Sequence, residues 1–175
     1  MKKILILFCV SISLFPSCKK NNSGPDTPAT YHISCMIDGV KESFNVGPQA
    51  KNVGDGTQAF LEIMGSLDST GSEAISIGVT KNNDFNNAVA VGTYSDTGAA
   101  YSTYLGYSVA SISSTYQAGN IIVSSGSVTV VNHLKLVITS IDATGIKGTF
   151  SGDVFVLYLN LKKTITNGDF YIKLS

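Results

Sequence analysis

The chain has 175 residues, its 12 basic residues are all lysine and are matched by 12 acidic ones, and its formal net charge is zero. That length holds one domain with a sizeable core and is short for two. A neutral chain exerts no long-range pull on a polyanion, and the lack of arginine removes the fork-shaped donor suited to phosphate, so no nucleic-acid or nucleotide partner is expected.

Met1-Lys2-Lys3 is basic, Ile4 to Phe15 is almost wholly apolar, and Pro16-Ser17-Cys18 places a small residue before a cysteine. Charge order and length mark residues 1–17 as a signal peptide, because an apolar run of about a dozen residues is short of the ~20 that a membrane-spanning helix needs. Leu14 to Cys18 resembles a bacterial lipobox, with Ser17 as the small residue before the cut and Phe15-Pro16 departing from the commoner leucine-small-small pattern. The resemblance implies that Cys18 becomes lipidated and holds the protein to a membrane, since several acyl chains bind durably where one binds marginally. Cys9 then leaves with the signal and Cys18 is taken by lipid, so Cys35 is left without a disulfide partner. Residues 18–30 form the lipidated cysteine and a polar tether with Pro25 and Pro28 and nothing to bury.

From Tyr31 the apolar period is two. Tyr31, Ile33, Cys35 and Ile37 alternate with polar neighbours, Asp38-Gly39 supplies a turn, and Val40, Glu42, Phe44 and Val46 continue as the partner strand of a hairpin. Cys35 on that apolar face reads as a small buried filler. Further strands are predicted at Ala59 to Gly65, Ala74 to Thr80, Ala88 to Tyr94, Ala100 to Ser108, Ser127 to Val131, Leu134 to Ile141, Ile146 to Phe150, Val154 to Leu161 and Phe170 to Leu174. Asp142-Ala143-Thr144-Gly145 and Asn167-Gly168 read as turns, the second closing a terminal hairpin. No stretch of a dozen residues shows helical spacing. Residues 31–175 are therefore expected to form a single all-β domain, an antiparallel β-sandwich with a β-barrel as the alternative.

The chemistry-bearing residues are sparse. His32 and His133 are the only histidines and neither sits beside a recognisable nucleophile; with one remaining cysteine they give no metal-ligand spacing, and no metal or cofactor is expected. Glu42, Glu62, Glu73, Asp84 and Asp153 are the carboxylates available for a glycosidase pair, but sequence cannot pair them, and Asp38, Asp55, Asp84 and Asp169 beside glycine or asparagine read as turn formers. The loops Asn82-Asn83-Asp84 and Gly54-Asp55-Gly56 are rich in oxygen yet lack the ligand order of a calcium loop. Tyr101, Tyr104 and Tyr107 are the candidate binding residues, since tyrosines stack on sugars or anchor protein partners. On one strand Tyr101 and Tyr107 share a face and Tyr104 takes the other unless a bulge intervenes at Gly106.

The lipobox followed by lysines, Ile37-Asp38-Gly39, Gly92-Thr93-Tyr94, Ile146 to Gly152 and Ile165 to Phe170 together resemble a domain-of-unknown-function family of Bacteroidota cell-envelope lipoproteins, in which Phe44 stands where members commonly have tryptophan. The resemblance implies a β-sandwich at the envelope and carries no activity. The expectation is a lipoprotein anchored by Cys18, at the outer membrane, acting as a non-catalytic binding module for a glycan or a protein. The alternatives are a structural accessory subunit of an envelope assembly and, more weakly, a glycan-cleaving enzyme. Lys19-Lys20-Asn21-Asn22 lacks the acidic residues that promote surface display in some species, so periplasmic and outward orientations both stay open.

Overall fold

A computed structural model of the chain describes residues 30–112 and 114–175. The expected signal peptide, Cys18 and the tether before residue 30 lie outside the described residues. The fold is all-β. In chain order the strands are β1 His32–Ile37, β2 Val40–Ser43, β3 Val46–Gly54, β4 Ala59–Ser66, β5 Glu73–Lys81, β6 Gly92–Ser95, β7 Tyr101–Val109, β8 Ser114–Gly119, β9 Lys135–Asp142, β10 Gly145–Val156 and β11 Leu161–Ile172, with one short helix, α1 Asn120–Ser125.

All eleven strands belong to one antiparallel sheet curled into a half-barrel, so the two walls that enclose the core are parts of a single sheet rather than two separate ones. The main path runs β2-β1-β11-β10-β8-β7-β5-β4-β3, and β6 and β9 branch from β10. At the closing side, Leu174 bridges to Ala50 of β3 and the Ser175 amide donates to the Ala50 carbonyl at 3.0 Å. Inward positions follow the two-residue period: Ile33, Cys35 and Ile37 on β1, Leu61 and Ile63 on β4, Ile75, Ile77 and Val79 on β5, and Leu136 and Ile138 on β9 are all buried. Burial pushes the Cys35 thiol up to about 12, which keeps it protonated and unreactive.

Curvature is set where glycine faces an aromatic ring. In the β10–β11 ladder Gly148 pairs with Phe170 and Phe150 pairs with Gly168. Each ring therefore lies across the glycine of the facing strand, and the two rings sit 6.4 Å apart. A methyl group at Gly148 would fall 2.2 Å from the Val137 carbonyl oxygen and 2.5 Å from the Phe170 ring. Tyr104 crosses its partner Gly78 in the same way on the outer face.

Four local expectations are corrected. Val40 to Val46 is two strands, because Phe44 turns fully into the core and its amide donates to the Ile33 carbonyl at 2.8 Å. Asn167-Gly168 is a bulge inside β11 and not a turn: Asn167 takes the left-handed conformation at φ 49, and the buried face passes from Ile165 to Phe170 and Ile172, a change of parity. Ile146 to Phe150 and Val154 to Val156 are one strand of 12 residues, and the hairpin to β11 closes through Leu157–Leu159. Ser127 to Val131 forms no strand. α1, at six residues, is too short for its helical period to register in the sequence.

The glycine-aromatic contacts predict a contrast between two glycines. Gly148→Ala costs about 1–3 kcal/mol through overpacking and lowers the melting temperature by roughly 3–9 °C. Gly92→Ala, whose added methyl meets nothing closer than 3.6 Å, shifts it far less. Thermal melting followed by circular dichroism reads both.

Candidate functional site

The polar triplet Ser151-Gly152-Asp153 looks misplaced in a strand, and the sheet explains it. β10 pairs with β9 as far as Ser151 and with β8 at Phe155, so between these points its edge has no strand partner. The loop before β9 fills that fork: the Asp153 amide donates to the Asn132 carbonyl at 2.8 Å. The Asp153 side chain is 0% exposed and accepts from the Asn132 amide at 3.2 Å, Asn132 Nδ2 at 3.0 Å, Thr164 Oγ1 at 2.8 Å and Lys162 Nζ at 3.4 Å. Burial pushes this carboxyl up, but the hydrogen bonds from Asn132 and Thr164 and the Lys162 charge overcome it and hold Asp153 below the ordinary aspartate value. A second buried carboxylate, Asp96, accepts from the Leu134 amide at 3.0 Å and lies 2.9 Å from His133 Nδ1. Asn132 to Leu134 is thus held between two carboxylates.

What this clamp supports lies on the outer face. β10 places its even-numbered residues toward the core, so Asp153 and Phe155 point outward, and both are nevertheless buried. α1 and the loop behind it cover them, with Ile122 buried beside Phe155. Past Val156 the chain turns through Leu157–Leu159, and Asn160 closes the turn in the left-handed conformation at φ 52. Here the apolar side chains stay in water: Leu157, Leu159 and Leu161 are exposed, and Tyr158 is 74% exposed. One cleft of about 360 Å³ runs between this turn and Ser127–Thr129, and another of about 460 Å³ between the turn, β8 and α1. β11 runs from this end to the one where β1 begins opposite Tyr171, a path of about 40 Å along its 12 residues at the ordinary strand rise.

The residues singled out from sequence are placed differently from one another. Tyr107 is buried to 5% and its hydroxyl donates to Glu73 Oε2, while Tyr116 and Phe44 pack against its ring. Tyr104 lies on the opposite face and donates to Glu62 Oε1 at 3.0 Å. Tyr101, half-buried, meets Tyr94 edge-on at 4.9 Å. The three do not form one surface, because β7 runs without a bulge at Gly106 and its alternation separates them. The tyrosine at the cleft beside β8 and α1 is Tyr158, which the sequence hides inside an apparently continuous apolar strand.

The hydrolytic groups are likewise engaged apart. Glu62 and Glu73 each hold a tyrosine, and Asp84 binds Lys81 Nζ at 2.7 Å. His32 Nε2 and Ser34 Oγ both lie 2.6 Å from Asp169, on different oxygens, so the carboxylate and not the imidazole is what the serine bonds. The geometry lacks the serine-to-histidine bond of a catalytic triad. Asp55 accepts from Thr57 and Gln58, which hold it at about 2 as a turn former. Among the described residues no three histidine, cysteine or carboxylate side chains come together as metal ligands.

No family model, curated protein or solved structure matches the chain. Function therefore follows from the site's own chemistry.

Removing the clamp tests its weight. Asp153→Ala leaves two donors of Asn132 and one of Thr164 unpaired and costs about 2–4 kcal/mol, whereas Lys162→Met, at a half-exposed ion pair, costs under about 1 kcal/mol. Denaturant titration compares them. Because Asp38, Asp153, Asp55, Asp68 and Asp142 all have lowered values, the last three at about 2, their stabilisation is complete above the unfolded value near ~4 and is lost as pH falls through the folded values. The contribution of these carboxylates is accordingly constant above about pH 5 and drops below ~4, with a smaller drop in Asp153→Ala.

Proposed function

We infer that this protein is a lipid-anchored, non-catalytic module of the cell envelope that holds a glycan or an envelope protein at the β10–β11 end. The observation that carries the reading is the exposed run Leu157 to Leu161 at that end, with Thr30 at the other end of β11. Single exposed apolar side chains are ordinary, but consecutive ones on one turn between two clefts mark a surface that a partner covers. The turn is tied down at its base by the Asp153 clamp and the long β10–β11 ladder.

Anchorage through Cys18 gives the surface its orientation. Thr30 leaves the domain at the end opposite the turn, so a lipid ahead of it presents Leu157–Leu161 away from the attachment point. The same apolar end also supports the accessory-subunit reading, in which Leu157, Leu159 and Leu161 are covered permanently by another envelope protein.

One experiment addresses anchor and surface together. A photo-reactive amino acid replaces Leu159 in the full chain expressed in its native cells, with replacement of the exposed Thr149 as control. The wild-type chain fractionates with membranes and gives a light-dependent adduct from position 159 alone. Cys18→Ser releases the chain from the membrane fraction and removes label from an alkyne fatty acid. Equal adducts from both positions, or membrane attachment and label that survive Cys18→Ser, contradict the reading.

A further inference from the structure

We propose that the cleft between β8, α1 and the Leu157–Leu159 turn is a subsite for a neutral sugar ring. The proposal rests on the reading of this end as the binding surface and names its ligand. The cleft is lined by Phe155, Leu157 and Tyr158 at the end of β10, by Thr115 and Gln117 of β8 and by Ile122 of α1. Outward-facing Gln117 lies in register with Phe155, so the two side chains leave the sheet side by side on its outer face.

Three features select the ligand class. The first is an aromatic face left in water: at 74% exposure Tyr158 presents a flat apolar surface to which the axial C–H groups of a pyranose are complementary. The second is a set of uncharged donors and acceptors, for among the described residues the Gln117 carboxamide and the Tyr158 hydroxyl make no hydrogen bond to the protein, and the Thr115 hydroxyl shares one with Ser108 at 2.9 Å. The third is that, among the described residues, no charged side chain lines the cleft, in contrast to its neighbour, which holds Lys162. An anionic or phosphorylated ligand would enter with no countercharge and lose hydration without return, whereas hydroxyl groups exchange water for Gln117 and Thr115 at little cost. A volume of about 460 Å³ is in the range of small-ligand sites and takes a ring without requiring enclosure of a whole chain.

The test is affinity electrophoresis of the purified full-length chain in native gels containing mannan, galactomannan, xyloglucan or laminarin, with polygalacturonate as the anionic comparison. At least one neutral polysaccharide retards the wild-type chain and polygalacturonate does not. Tyr158→Ala weakens retardation by about tenfold or more, Tyr158→Phe retains it because the ring face is kept, and Gln117→Ala weakens it several-fold. Thr149→Ala, at an exposed position of β10 outside the cleft, leaves it unchanged. The three substituted positions are exposed, so melting temperatures report whether each variant is folded. Free passage through all four neutral gels overturns the proposal, as does retardation that survives Tyr158→Ala or appears only with polygalacturonate. If position 159 still cross-links to an envelope protein while every neutral gel is passed freely, the binding surface stands and the sugar subsite falls.

Discussion

Asp153 is the residue on which the far end of this molecule depends. A long strand that serves two sets of neighbours leaves a gap where it passes from one to the other, and unpaired backbone at such a gap is costly. Here a buried carboxylate and the backbone of Asn132 take the place of the missing strand, with donors from Asn132, Thr164 and Lys162 meeting its oxygens. The burial cost of the charge is offset because nearly every lone pair is used. Asp96 repeats the device one step along, at Leu134, so the loop that walls one cleft is tied to the sheet at both ends of a three-residue stretch.

The half-barrel and the exposed Leu157–Leu161 end are linked through β10 and β11. Reciprocal placement of Phe150 over Gly168 and Phe170 over Gly148 lets the two strands approach and bend at mid-length, and the bulge at Asn167 lets β11 keep its apolar residues inward on both sides of that bend. Above the bend the same two strands carry the clamp and then the exposed turn. Packing that shapes the core therefore also fixes where Leu157 to Leu161 project.

Much of the fold was legible in the sequence because alternation and turn chemistry are local. Asp38-Gly39 forms the two-residue turn that the pair demands, with both residues at positive φ, and Ile75, Ile77 and Val79 face the core as their spacing requires. What the sequence did not reveal depends on partners distant along the chain. Asn167-Gly168 has the same composition as a hairpin turn, and only the pairing of β1 and β10 on its two sides makes it a bulge. Asp153 sits among strand residues with nothing nearby in sequence to mark Asn132 and Thr164 as its donors. Tyr158 shares the alternation of a buried strand, and its exposure is decided by where β10 ends. Tyr101, Tyr104 and Tyr107 were correctly divided between two faces by alternation alone, but their engagement with Tyr94, Glu62 and Glu73 required the neighbouring strands.

The exposed Leu157–Leu161 turn is held in shape by a carboxylate beneath it, and amide hydrogen exchange of the full-length chain and of Asp153→Asn tests that directly. Asparagine keeps the size of the side chain but replaces one acceptor by a donor facing the donors of Asn132, Thr164 and Lys162. The amides of Asn132, Asp153 and Leu134 should exchange as slowly as core strand amides in the wild type, and selectively faster in Asp153→Asn, while Ile75 to Val79 on β5 stay protected. Fast exchange at Asn132 and Asp153 in the wild type, or unchanged protection in Asp153→Asn, would contradict the account.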